Sequence, residues 1–222
     1  MFKLYPPIKP HNHGFLLVGD GHSIYWEECG NPKGFPILFF HGGPGAGCSK
    51  KDRRYFNPKL RTILFDQRGC GRSRPATCLK SNTTQHLVQD AKAILDQLQI
   101  KKILVVGGSW GSTLASVFAI THPDMVAGIV IRGIYLGEES EIDYSAKGLM
   151  AQHFPEAWER FTRLLPKSGK KNPLKYFYHN VLSMKDKKLK QKLLYEWTMF
   201  EDRHCPLKPS SDKEAEKEMA GL

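Results

Sequence analysis

Residues 103–121 read Ile-Leu-Val-Val-Gly-Gly-Ser-Trp-Gly-Ser-Thr-Leu-Ala-Ser-Val-Phe-Ala-Ile-Thr. No other stretch so narrows what this chain can fold into. An apolar run of strand character must turn within a few residues into a helix, with Ser109 at the apex. Gly-x-Ser-x-Gly alone is a weak signal, because glycine-rich turns are common. Strand before and helix after supply the context that gives it meaning. Such a turn forces the serine into a strained conformation, and small neighbours at 107 and 111 avoid clashes. The hydroxyl then stands clear of the sheet at the positive end of a helix. A plain helix cap built from glycine and serine is the alternative; Ser109 is the expected nucleophile.

The surrounding pattern agrees. Strand candidates lie at Phe15–Val18, Ser23–Glu27, Ile37–Phe40, Thr62–Phe65, Ile103–Val106 and Gly128–Ile131. Several are continuous apolar runs, as in strands covered on both faces. An amphipathic helix is expected from about Thr84, with Leu87, Ala91, Ile94, Leu95 and Leu98 on one face. A second should run from Trp110 to Thr121 and stop at His122-Pro123. Strands alternating with helices predict an α/β fold, a mostly parallel sheet with helices on both faces, over residues 1–134. After Gly133 no further strand run occurs. Helical patterns at Ala157–Leu165 and Lys187–Glu201, and a capped start at Ser211-Asp212, make 135–222 a helical cap segment.

Composition excludes several classes of function. With 41% hydrophobic and 25% charged residues in 222, the chain is globular and not disordered. No apolar run reaches the ~18 residues of a membrane span, and the prolines of MFKLYPPIKP argue against a secretory leader. A cytoplasmic protein with no membrane partner is expected. Five cysteines form no CxxC pair, consistent with reduced thiols. No cluster has metal-ligand spacing, and no cofactor is expected. Within 167–192 there are nine lysines and one aspartate around Tyr176, Phe177 and Tyr178. RNA or an anionic surface could bind there, but lysine without arginine lacks a bidentate reach for phosphate. A solvated helix face is the simpler reading, and no nucleic-acid partner is expected.

Three other segments bear on chemistry. His41-Gly42-Gly43-Pro44-Gly45 follows a strand, and in a serine hydrolase built this way its backbone N–H groups face the developing oxyanion. The oxyanion hole is assigned to the N–H groups of Gly43 and Trp110. His41 precedes the nucleophile and reads as a turn-stabilising residue rather than a base. Asp66-Gln67-Arg68-Gly69 ends another strand, and Asp66 and Arg68 are expected to be bonded into that loop. In the cap, Leu189, Leu193, Trp197 and Phe200 form an apolar stripe, with Glu201 one turn beyond Trp197 on that face. A carboxylate so placed needs a cation, either a substrate ammonium or an internal Lys or Arg.

HGGPGAG, DQRGCGRSRP, GGSWGSTLA and the opening DGHSIYWEECGNPKG, in this order and at these separations, resemble the proline iminopeptidase (prolyl aminopeptidase) family of α/β-hydrolases. The resemblance runs from about Leu4 to Tyr135, and more loosely through FPEAWERF and Trp197–Glu201. It implies an α/β-hydrolase core with a helical cap and removal of an N-terminal proline from a peptide through an acyl-enzyme. Ser109 matches the nucleophile, and Gly43 and Trp110 the oxyanion positions. Glu201 resembles the glutamate that holds the substrate imino group, although Phe200 stands where the family has a tryptophan. Tyr135 occupies the position of an aromatic set against the proline ring.

The family supplies its catalytic aspartate and histidine on further strands after the cap, and nothing beyond Tyr135 reads as such a strand. Asp143 with His153 or His179, and Asp186 or Asp202 with His204, are the available later pairs. The chain therefore reads as C-terminally truncated, its sheet incomplete. Two other readings stay open: a non-catalytic remnant or binding module, and another serine ester or amide hydrolase on the same fold.

Overall fold

The structure, a computed structural model, describes residues 3–146 and 149–204. Six strands form one sheet: β1 (Asn12–Gly19), β2 (His22–Gly30), β3 (Pro36–Phe40), β4 (Arg61–Phe65), β5 (Ile103–Gly108) and β6 (Val126–Arg132). Each extends its expected apolar run at one or both ends. The spatial order is β1-β2-β4-β3-β5-β6. Neighbours among β4, β3, β5 and β6 run parallel, whereas β1 pairs antiparallel with β2, and β2 with β4. Connection chemistry explains the difference. Asp20 and Gly21, both at positive φ (51° and 79°), make the tight link that lets β2 fold straight back on β1. The later strands are joined by long crossovers, which return the chain in the same direction.

Two of those crossovers are helices, α1 (Thr84–Gln97) and α2 (Trp110–Thr121). Thr83 caps α1 by accepting a hydrogen bond from the His86 backbone N–H. Of the expected apolar face, Leu87, Ala91, Ile94 and Leu95 are buried, joined by Val88, whereas Leu98 falls at the C-cap of α1 and is half-buried. They meet Leu38, Phe40, Ile63, Phe65, Ile103 and Val105 from the sheet and Leu114, Ala115 and Phe118 from α2 in one core cluster. Burial of each such Leu, Ile or Phe is worth about 1.5–3 kcal/mol. That rigid platform fixes the ends of β3, β4 and β5, where the chemistry-bearing loops begin.

α1 and α2 share that core cluster and so lie on one face of the sheet, not on both as expected, because the side chains of each strand alternate between faces and both helices meet the same set. The opposite face, with Cys29, Phe39 and Leu64, is covered by Ile8, Cys48 and Phe56. Cover is incomplete at β6. That strand forms one edge of the sheet, and Ile129 and Val130 are 41% and 52% exposed.

The chain divides into two compact units, one ending at Leu136 and the other beginning at Gly137. The second contains α3 (Glu139–Ala146), α4 (Met150–His153), α5 (Pro155–Thr162), α6 (Lys167–Lys171), α7 (Pro173–Tyr176), a wide turn at Phe177–Val181, and α8 (Lys187–His204). Ala157, Phe161, Leu165, Phe177, Val181, Leu193 and Phe200 form its core. Phe161 stacks on Phe200 at 4.9 Å and meets Trp197 edge-on at 5.5 Å. The expected helix start at Ser211-Asp212 lies outside the described residues, as does Cys205. The other four cysteines are free thiols. Among the described residues, no helix is long and apolar enough to cross a membrane.

Candidate active site

β5 delivers the chain to Ser109 and α2 takes it away at once. Ser109 has φ 55° and ψ −128°, a conformation non-glycine residues rarely adopt, and its side chain is exposed. Its neighbours make the turn possible. A Cβ on Gly107 would overlap the Gly111 carbonyl, and a Cβ on Gly111 would overlap the carbonyl of Phe40. The backbone is anchored on both sides. Ser109 N–H donates to the Arg132 carbonyl at 3.0 Å, and the Ser109 carbonyl accepts from the Ser112 hydroxyl at 2.6 Å. Ser112 also accepts from the Tyr135 N–H at 3.0 Å, and Thr113 donates to the Tyr135 carbonyl at 2.5 Å. Tyr135 is thus tied by its main chain to the first turn of α2, just behind the serine.

The loop after β3 runs alongside. A Cβ added at Gly42 would lie 3.4 Å from that of Ser109, and Gly43 has φ 114°. The last paired residues of β3 and β5 are Phe40 and Gly107, so Gly43 and the Trp110 backbone lie just past the end of the ladder on adjacent segments. A cavity of about 650 Å³ opens beside them, its lining including Pro44, Gly45, Gln67, Cys70, Leu79 and Trp110.

His41 is bonded through both ring nitrogens. Nδ1 lies 2.8 Å from the Gly42 carbonyl, and Nε2 lies 3.1 Å from the Gln67 backbone N–H. Burial lowers its pKa, against the Gly42 hydrogen bond and the charges of Asp66 and Asp52, which raise it. This is a neutral structural histidine, as its place in the sequence predicts. Asp66 is equally occupied. One carboxylate oxygen takes the Cys48 N–H at 2.7 Å, and the other takes the Arg72 backbone N–H and Nε at 2.9 and 2.7 Å. Arg72 continues to the buried Glu27 at 3.0 Å, which Arg53 also clasps at 2.6 and 2.8 Å. Arg68 pairs with Asp90 of α1 at 2.7 and 2.8 Å and donates to the Ser81 carbonyl. Both loop residues are structural, and between them they pin the chain on either side of Gln67.

The remaining histidines of the first unit are engaged elsewhere. His11 lies against Glu28, His13 beside the ring of Tyr25, His22 on the Lys80 carbonyl, His86 against Thr83, and His122 on Phe118. None of these contacts involves Ser109.

In the second unit the expected stripe on α8 is present but shifted. Leu193 and Phe200 are buried and Trp197 packs against the cluster, while Leu189 is 39% exposed. Glu201 does not share that burial: its residue surface is exposed. Its carboxyl pKa is nonetheless raised by the protein matter around it, and the Trp197 indole N–H, donating to it, opposes that rise. The buried carboxylate is instead Glu196, 3% exposed, clasped by Arg160 of α5 at 2.8 Å and by Arg163 at 3.0 Å. Sequence reading missed Glu196, although it sits three residues after Leu193 and four before Phe200, the spacing that shares their face. Asp143 and His179 line a common cavity of about 460 Å³ in this unit. Asp186 caps α8 by accepting from the Leu189 N–H at 3.0 Å. The Asp202 and His204 side chains lie outside the described residues.

A mostly parallel sheet, one strand of which ends in a strained serine turn beside a glycine-rich loop, defines a class. Residues 36–203 match the family model of the alpha/beta hydrolase fold. Among curated proteins, the chain is 44% identical over 208 residues to a proline iminopeptidase of Arabidopsis thaliana, covering 93% of this chain and 55% of that protein. It is 41% identical over 220 residues to one of Neisseria meningitidis, covering 98% and 71%. The chain belongs to the proline iminopeptidase family of α/β-hydrolases, and it spans little more than half the length of the Arabidopsis relative. Among solved structures, VinJ superposes with a TM-score of 0.58 at 18% identity, over 95% of this chain and 67% of that one. A proline iminopeptidase-related protein of Thermus thermophilus gives 0.55 at 20% identity, over 85% and 60%.

Proposed function

We propose that this chain carries the nucleophile half of a serine exopeptidase that removes an N-terminal proline from peptides. The exposed Ser109 at φ 55°, with the Gly43 loop and Trp110 at its side, is the observation that carries the reading. The names of its relatives supply the substrate class. Ser109 Oγ attacks the carbonyl carbon of the N-terminal residue as its proton passes to a base. The oxygen that becomes negative is met by the N–H groups of Gly43 and Trp110. The C–N bond then breaks, the leaving amine takes a proton, and water releases proline from the ester on Ser109. Glu201 meets the positive imino group of the substrate, and Tyr135 meets the proline ring.

Every described histidine of the first unit is engaged elsewhere, so the reading assigns the base to none of them. Full activity requires an acid–base pair, since losing members of such a triad costs several orders of magnitude in rate.

A prolyl chromogenic amide tests the reading directly. Slow product release, several orders of magnitude below that of a complete triad and abolished in Ser109→Ala at unchanged folding, is the expected result. Release that persists in Ser109→Ala removes Ser109 from the chemistry, and faster turnover of simple esters than of prolyl amides reassigns the substrate.

A further inference from the structure

Gln67 is 2% exposed; its carbonyl accepts from the Cys70 N–H within the loop, while its backbone N–H and both side-chain polar atoms turn toward the two segments that flank Ser109. Its backbone N–H donates to His41 Nε2 at 3.1 Å, and its side-chain Nε2 donates to the His41 carbonyl at 2.9 Å. Its Oε1 accepts from the Trp110 indole N–H at 3.1 Å. One residue from the end of β4 thereby ties the start of the glycine loop to the first residue of α2.

The need for such a tie follows from where the ladder stops. β3 and β5 are held together as far as Phe40 and Gly107, but the expected oxyanion donors, the N–H groups of Gly43 and Trp110, lie beyond that point. Two donors on separate segments must converge to about 2.7–3.1 Å from one oxygen. A drift of half an ångström between the segments would spoil one of the two bonds.

The protonation of His41 fits the role. Its Nδ1 faces the Gly42 carbonyl, an acceptor, so Nδ1 carries the hydrogen and Nε2 is left to accept from Gln67. The Trp110 side chain makes its bond independently of its backbone N–H. Its indole can therefore be changed without touching the oxyanion donor.

From this geometry we infer that Gln67 is a positioning residue of the oxyanion site, setting the separation of the His41–Gly43 loop from Trp110. The inference deepens the reading of Ser109 as nucleophile and rests on it. It separates two states of a ligand. A tetrahedral adduct with an oxygen between Gly43 and Trp110 feels the spacing; a planar ground-state ligand does not.

The experiment uses the full chain and two probes: proline boronic acid, which forms a tetrahedral adduct on a serine, and prolinamide, which does not. Boron NMR reports the adduct and calorimetry gives both affinities. Gln67→Met keeps length and removes every side-chain hydrogen bond; Trp110→Phe removes only the indole partner. Each variant is expected to weaken boronate binding about 10- to 100-fold, less than the roughly 100- to 1,000-fold of losing one oxyanion donor outright, because the donor is misplaced and not removed. Prolinamide affinity should stay within about two-fold. Combining the two changes should be no worse than the more severe single one, because both cut the same tie.

Equal weakening of both probes in the variants means that Gln67 only supports the fold, and overturns the inference. So do unchanged boronate affinity, or effects that add. Trp110→Phe serves as the deciding variant if Gln67→Met lowers the melting temperature enough to compromise folding. No tetrahedral boron signal in the unaltered chain has a different meaning: Ser109 is then not the nucleophile, and the inference falls with that reading.

Discussion

At the scale of single residues, the site is made by side chains that do no chemistry. His41 is a base by type and a strut by placement, with a ring nitrogen on each side committed. Its lowered pKa makes a prediction about stability. The folded chain keeps His41 neutral below its ordinary value of 6.5, where the unfolded chain takes up a proton. Stability from this group is therefore complete above about pH 6.5 and declines as pH falls toward the folded pKa. Urea unfolding between pH 7.5 and about 5 should show a falling midpoint, and His41→Gln should flatten it. An equal slope in the variant would assign the effect to other groups. His122, likewise lowered by burial, adds in the same direction. Gln67 had no sequence signal, because its partners at 41 and 110 are far away in the chain and meet it only once β3, β4 and β5 are aligned.

At the scale of elements, legibility followed the periodicity of each segment. The strands and the first two helices could be read because apolar runs and 3.6-residue spacing report burial directly. The parallel direction of β4, β5 and β6 could be read from the helices between them, but the antiparallel direction of β2 against β4 could not, since either direction buries the same side chains. The pairing of β2 with β4 across an intervening strand in sequence left no local mark. On α8 the spacing put carboxylates near the apolar stripe at both 196 and 201, and only the arginines of another segment decide between them. Glu196→Ala should destabilise the second unit by about 1–3 kcal/mol, since a buried acceptor of two charged hydrogen bonds is lost. Glu201→Ala should change stability by less than about 0.5 kcal/mol, as expected of an exposed position. Urea midpoints of the two variants check the contrast, and a larger loss at Glu201 would reverse the assignment.

At the scale of the molecule, the order of motifs along the chain and the order of strands in the sheet converge on one place, the ends of β3, β4 and β5. Each of those strands delivers one component: the glycine loop, the Asp66–Gln67 turn and Ser109. β6 stands at the edge with Ile129 and Val130 exposed, close in sequence to the 78% exposed Ile120 of α2. Among the described residues no strand pairs with its outer side. Unpaired main-chain groups beside exposed β-branched side chains are a template for self-pairing. The practical consequence lies in handling. Loss of soluble protein should scale with a power of concentration greater than one, even well below the melting temperature. Light scattering of a dilution series at constant temperature reads that order, and a lysine at Val130 should delay its onset while leaving the melting temperature nearly unchanged.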